Sequence, residues 1–337
     1  MAKISYDAKE LQVTSIKDSI AEELEYIEAR KDGRVRSLRT PWTKYNWVSM
    51  GGIEWHTIHT LGGMSGSGKT AIMNQLETEV LSLNPWEEFD ILSFNFEMLA
   101  RNLVGRKLSR ELKLTVQELH SGKHGETLSD EDFERVKAAA PSMMELPISY
   151  VEQAGTVAEV MQTIFSFSHK QGFKTGKRSK YKRGLLVLLD HTILVQGHSD
   201  QQERQILVDL LSRMNNAKKW FYANNRQVSF VLLTQLNRSI EETERIVEPS
   251  LNFPKKKDIF GGDACFQFSD IVMVSMNPFQ NGLDSYGPKG WSTEGFLYWH
   301  FLKVREGTPL VARMENKLAF NRVDDWKGTG TLTLEGD

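Results

Sequence analysis

The sequence predicts an α/β fold with a mainly parallel central sheet. Three observations predict it. From about Gly52 onward, short apolar runs alternate with stretches of helical periodicity. One run passes directly into GMSGSGKT at residues 63–70, a glycine-rich turn followed by a helix-forming segment. Another, the continuous apolar run 185–189, ends in Asp190, as a central strand buried on both faces would.

The elements follow in order. Ile16, Ile20, Leu24 and Ile27 recur at helical spacing, with Ser15 and Asp18 suited to a helix start, over residues 16–30. A basic stretch, residues 30–39, follows and is closed by Pro41. A short amphipathic helix on a charged arm either packs on its own domain or docks on a neighbouring subunit, and the residues alone leave both open. Strands are expected at residues 56–61, 91–96, 148–151, 185–190, 229–234 and 271–275. Two more, at 296–304 and 310–323, are joined by a turn at 307–309.

Composition bounds the chemistry. The 337 residues are 40% hydrophobic and 26% charged, enough for one large domain or two smaller ones with a real core. A formal net charge of −2 excludes proteins that coat nucleic acid through overall basicity, so any polyanion contact must be local. The lone Cys265 forms no internal disulfide, and with no signal peptide or long apolar span the expected setting is a reducing cytoplasm, away from membrane. Cys265 lies in a Gly-rich segment without a base beside it, so a small buried or loop residue is expected rather than a nucleophile.

Residues 63–70 match the GxxxxGK(S/T) phosphate-binding loop in its required strand-to-helix context. Gly63, Gly66 and Gly68 let successive amides turn toward phosphate oxygens, with Ser65 and Ser67 between them and Ala71 inside the helix. Lys69 places an ammonium near the outer phosphates, Thr70 offers a hydroxyl to Mg²⁺, and the helix start adds its positive end. ATP with Mg²⁺ is the expected cofactor pair. Trp42, Tyr45 and Trp47 are expected to pack where the arm joins the core, with contact to a nucleotide base as the alternative.

In an open parallel sheet, ligands lie beyond the carboxyl ends of the strands. Asp190 there suits the Mg²⁺ shell, against a plain turn acid. Glu97, after the run 91–96, is placed to deprotonate an attacking water, or is a surface acid. Gln235, after the run 229–234, is placed to sense a terminal phosphate, or is a satisfied polar residue. Lys303 and Arg305, in LKVREGTP, alternate onto one face and suit charge stabilisation on a transferring phosphoryl group, within the chain or in trans; ordinary surface cations are the alternative.

Together these pieces resemble the ATPase domain of DnaB-type replicative helicases, a hexameric family of the RecA-like ATPases. The resemblance spans about residues 16–323. It rests on the phosphate loop, SFNFEM at 93–98, LLDHTILV at 188–195, LLTQLNRSIE at 232–241, the segment 258–270 and KVREG at 303–307; QLNRS is the most specific. It implies a RecA-like P-loop core at 46–325, a linker-helix arm at 1–45 and a tail at 326–337. It also implies Glu97 as catalytic glutamate, Asp190 as Walker B aspartate, Gln235 as phosphate sensor, and Lys303 with Arg305 as a basic pair reaching a neighbour's site. Under it the helix at 16–30 docks on the adjacent protomer. The family's N-terminal collar domain has no counterpart here, and Ile193 and Phe260 stand where the family usually has glutamine and arginine.

The implied activity is ATP-dependent 5′ to 3′ translocation on single-stranded DNA by a homo-oligomeric, hexameric ring. The implied partners are a primase, polymerase or helicase loader, in a bacterial or phage-infected cell. The expected DNA loop is 238–262, with Lys255, Lys256 and Lys257 and the amides of Gly261 and Gly262 toward the phosphates. The basic segment 170–183 is a second candidate, although a solvated hairpin is the commoner fate of such a run. The alternatives are a RecA- or RadA-like recombinase that forms filaments on DNA, and a noncatalytic assembly ATPase. QLNRS, KVREG and the absence of a polymerisation strand motif favour the helicase.

Overall fold

The computed structural model describes residues 13–121, 128–171, 182–197 and 201–328. Contacts divide the chain into two units, Met1–Ser37 and Leu38–Asp337. The first carries α1 (Ile16–Lys31), whose N-cap Ser15 accepts the Asp18 N–H, as the sequence suggests. Its Ile16, Ile20, Leu24 and Ile27 side chains are each more than half exposed.

The second unit holds helices α2 (Thr43–Val48), α3 (Lys69–Leu83), α4 (Ala100–Leu112), α5 (Val116–Leu119), α6 (Asp130–Met144), α7 (Val157–Gln171), α8 (Glu203–Ala223), α9 (Thr243–Val247) and α10 (Gly262–Phe268). Its strands are β1 (Ile58–Gly63), β2 (Phe89–Asn95), β3 (Ile148–Val151), β4 (Lys182–Asp190), β5 (Arg226–Gln235), β6 (Ile271–Met276), β7 (Ser285–Tyr286), β8 (Trp291–Ser292), β9 (Phe296–Val304), β10 (Leu310–Lys317) and β11 (Arg322–Asp325). One nine-stranded sheet has the order β11-β10-β9-β6-β1-β5-β4-β2-β3. Neighbours from β6 to β3 are parallel, and β9, β10 and β11 extend that edge in antiparallel register. This is the mainly parallel α/β fold that the sequence predicts.

Alternation along β4 shows why the sheet is covered on both faces. Leu185, Val187 and Leu189 pack with α7 and α8 side chains such as Ile164 and Leu210, whereas Leu186 and Leu188 pack with Ile72 and Leu76 of α3. The parallel strands thus present all their carboxyl ends to one edge. Trp42 is buried as expected, its Nε1 donating to Val323 O at 2.8 Å and its ring edge-on to Trp299. Tyr45 joins it, but Trp47 is 71% exposed and takes no part in that packing. Cys265 is buried, which pushes its thiol up to about 12. Among the described residues no helix is long and apolar enough to cross a membrane.

Several strand limits differ from the expectations. β4 and β5 begin three residues early, in polar residues that pairing satisfies: Arg183 meets Asp90 at 2.6 Å, and Arg226 donates to Ser168 O at 3.2 Å. The run 310–323 is not continuous strand. It breaks at a 3₁₀ turn, Leu318–Phe320, and at Asn321 with φ 50°, a left-handed angle that asparagine tolerates.

Candidate active site

The phosphate loop leaves β1 at Gly63 and enters α3 at Lys69. Gly66 and Gly68 have φ of 77° and 84°, so left-handed backbone is required there. Gly63 is needed for a different reason than turn conformation: a Cβ on it would lie 2.3 Å from Ser67 Oγ. Lys69 folds over the loop, its Nζ donating to the Gly63 and Met64 carbonyls, both at 2.7 Å. Ser65 is exposed at the rim and Ala71 is buried in α3.

Thr70 Oγ1 donates to Asp190 Oδ2 at 3.0 Å, which brings together the two residues expected to hold a metal. Their oxygens are hard donors, and Mg²⁺ characteristically takes one or two protein oxygens beside phosphate and water, so the set fits that ion. Burial pushes Asp190 up to about 6, with the charge of Glu97 adding to it and Thr70, Lys69 and Arg106 opposing. Burial pulls Lys69 down to about 8, opposed by Asp190 and Glu97. Glu97 lies two residues beyond β2, where Asn95 is in register with Asp190, and its side chain is 57% exposed.

Two further residues belong to this edge. His191, directly after β4, is buried; its Nε2 stands between two side chains, 3.7 Å from Glu97 Oε2 and 3.4 Å from Gln235 Nε2. Burial lowers its pKa, so the neutral ring is favoured at neutral pH. Arg106 of α4 is held close enough to feel the charges of both Asp190 and Glu97. Only the position of His191 beside Asp190 was a signal in the sequence; Arg106 is delivered by the packing of α4. A cavity of about 400 Å³, lined by Met98, Asn102, Arg106, His120, Leu318 and Asn321, adjoins the loop, since Leu318 packs on Gly68.

Lys303 and Arg305 lie elsewhere. β9 runs antiparallel to β6, so its last residues sit at the amino end of β6. There Arg305 Nε meets Asp270 Oδ1 at 2.7 Å, Asp270 Oδ2 accepts the Ile58 N–H at 2.8 Å, and Lys303 Nζ donates to Phe266 O. The whole length of β1, roughly 20 Å, separates that end from the phosphate loop of the same chain.

Beyond Gln235 the chain folds back on itself. Phe260 N–H donates to Gln235 O at 2.9 Å and Asn237 N–H to Asp258 O at 2.6 Å, so this loop begins as an extension of β5. Its centre is a buried pair: Arg245 gives two hydrogen bonds to Asp258, at 2.7 and 2.9 Å, and others to Leu251 O and Phe253 O. Asp258→Ala, which strands that guanidinium, is expected to cost about 3–5 kcal/mol. A lowered urea midpoint checks this, and an unchanged midpoint contradicts it. Lys255, Lys256 and Lys257 are exposed on this frame, Lys256 paired with Asp263 at 2.7 Å. Gly261 caps α10, and the Gly262 N–H already donates to Ile259 O at 3.0 Å. Of the second basic segment, residues 172–181 lie outside the described residues, and Arg183 is taken by Asp90.

A parallel sheet with a phosphate loop, a hydroxyl–carboxylate pair and a second carboxylate at its carboxyl edge defines a RecA-like ATPase domain. Residues 38–279 match the family model of the DnaB-like helicase C-terminal domain, and the chain belongs to that family. It is 25% identical over 262 residues to replicative DNA helicase DnaB of Geobacillus stearothermophilus, covering 77% of this chain and 51% of that protein. Against the DnaB of Mycobacterium intracellulare it is 25% identical over 231 residues, covering 68% of this chain and 34% of that one. The chain thus spans about half or less of the length of these relatives. Among solved structures, one described as an ATPase domain is similar with TM-score 0.75 at 14% identity, over 94% of this chain and 100% of that one. A DnaB-like replicative helicase described with its primase interactions follows at TM-score 0.73 and 14% identity, over 94% and 68%. These structural likenesses concern fold. Lys303 and Arg305 lie outside the matched span 38–279.

Proposed function

We propose that the protein is an ATP-driven replicative DNA helicase that assembles as a ring, hexameric as in its family, and translocates 5′ to 3′ on single-stranded DNA. One observation carries this furthest: the phosphate loop and Arg305 occupy opposite ends of β1 and β6. A head-to-tail arrangement of copies would bring one copy's Arg305 end to the next copy's loop end, and that contact, repeated, gives a ring where the rotation between copies closes and a filament where it does not; the family favours the ring. The exposed apolar stripe of α1 supports its docking on a neighbour.

In this mechanism the loop amides and Lys69 hold the phosphates, and Glu97 orients water and takes its proton. Mg²⁺ at Thr70 and Asp190 would offset charge on the phosphate oxygens. Arg106 from the same chain, and Arg305 with Lys303 from the neighbour, stabilise charge on the transferring phosphoryl group. Gln235, touching His191 on one side and Phe260 through its carbonyl on the other, links the terminal phosphate to the loop carrying Lys255, Lys256 and Lys257. That loop, with Gly261 and Gly262 at its base, contacts the DNA backbone. Primase is a proposed partner, supported by the interactions named for the similar helicase, with polymerase and loader beside it, in the cytoplasm of a bacterial or phage-infected cell.

Forked DNA with a 5′ single-stranded tail is unwound in the presence of ATP, and a fork with only a 3′ tail is not. DNA-stimulated hydrolysis with filaments and no unwinding would instead mark a recombinase. Affinity for Mg²⁺-nucleotide has a defined pH window. Binding needs Asp190 ionised and Lys69 protonated, so affinity climbs as pH rises through about 6 and declines as pH rises through about 8. Titration of a fluorescent ADP from acid to alkaline pH reads this, and a flat profile contradicts it.

A further inference from the structure

The phosphate loop is held from behind by side chains that follow its neighbour strand. Ser275 of β6 is in register with Gly63, is fully buried, and donates its hydroxyl to Ser67 O at 2.7 Å. Asn277, the first residue after β6, donates through Nδ2 to Gly66 O at 3.3 Å and to Gln280 Oε1 at 3.1 Å. The Gln280 amide in turn lies over Gly66, where a Cβ would approach it to 2.2 Å. Ser275 and Asn277 are 0% and 7% exposed, which leaves little room for water to take over their bonds.

A trans peptide points its C=O and the next N–H in opposite directions. A hydrogen bond that draws the Ser67 carbonyl toward β6 therefore aims the Gly68 N–H away from β6, toward the loop's concave side. The Asn277 bond to Gly66 O fixes the preceding peptide plane, whose Ser67 N–H donates to Met64 O at 3.3 Å within the loop. Without the Ser275 anchor the Ser67–Gly68 plane is free to rotate, and without Asn277 the Gly66–Ser67 plane is held by the Ser67 N–H bond to Met64 O alone; a carbonyl turned inward would oppose a phosphate instead of binding it. We infer that Ser275 and Asn277, with Gln280 packed over Gly66, are positioning residues that pre-aim the loop amides and so set its affinity for the phosphate chain of a nucleotide. This rests on the nucleotide-site reading above.

The test is equilibrium binding of a fluorescent ADP to the full chain, with inorganic tripolyphosphate as competitor. Wild type is compared with Ser275→Ala, Ser275→Cys and Asn277→Ala, each first shown to melt cooperatively. One lost neutral hydrogen bond corresponds to about 3- to 10-fold weaker binding, expected for ADP and for tripolyphosphate alike because the effect is on the phosphate cradle. KM for ATP should rise by the same factor with kcat within about twofold, which a general loss of structure would not produce. Cysteine keeps the shape of serine but is somewhat larger and a weak donor, so Ser275→Cys should bind as weakly as Ser275→Ala. Wild-type affinity in Ser275→Cys, or in all three variants, overturns the positioning role alone. Failure of the wild type to bind either ligand overturns the nucleotide site, and the positioning role with it.

Discussion

Glu97→Gln protein binds nucleotide like the wild type and hydrolyses it about 10²- to 10⁴-fold more slowly. The substitution keeps the size of the side chain and removes its ability to accept a proton from water. The groups expected to hold phosphate and metal, Lys69, Thr70 and Asp190, keep their mutual bonds, because none of those bonds involves Glu97. At 57% exposure Glu97 contributes little to packing, so a lost rate reports chemistry and not folding. Single-turnover hydrolysis beside a binding titration checks this. Turnover near that of the wild type would mean that another group is the base.

Arg305→Ala lowers hydrolysis by about 10³- to 10⁵-fold, the scale of a lost arginine finger. Nucleotide affinity of an isolated chain stays unchanged, since Arg305 is roughly 20 Å from its own phosphate loop. The fold tolerates the change: Asp270, which loses the Arg305 contact, keeps the Lys218 ion pair at 3.0 Å and the Ile58 N–H at 2.8 Å. Measured kcat and dissociation constants check both halves. A large loss of affinity in the isolated chain would place Arg305 in the cis site instead.

The site was legible in the sequence wherever function and local pattern coincide. Gly63–Thr70 is a contiguous signature, and Asp190 and Glu97 each terminate an apolar strand run, so their edge followed from the parallel fold. Arg106 was not legible, because it comes near the charges of Asp190 and Glu97 only through the packing of α4 on α3, where Leu103 O accepts from Asn74 and Lys107 pairs with Glu77. Ser275 and Asn277 were hidden for a related reason: β6 neighbours β1 through sheet order, about two hundred residues apart in the chain, and no local spacing reports that. Strands start earlier than the apolar runs where polar residues such as Arg183 and Arg226 find buried partners that a hydrophobic pattern cannot show. Trp47 is close to Trp42 and Tyr45 in sequence, yet helical geometry turns it out to solvent.

The central claim is that each active site is shared between two copies, and mixing the two variants tests it most directly. Glu97→Gln chains retain Arg305, and Arg305→Ala chains retain Glu97. Equal mixing into common rings should restore hydrolysis to about a quarter of the wild-type rate, because about one interface in four then pairs an intact Glu97 with an intact Arg305. That recovery, with single-stranded DNA present to promote assembly, is the predicted result. A mixture no more active than the average of its two components would contradict a shared site.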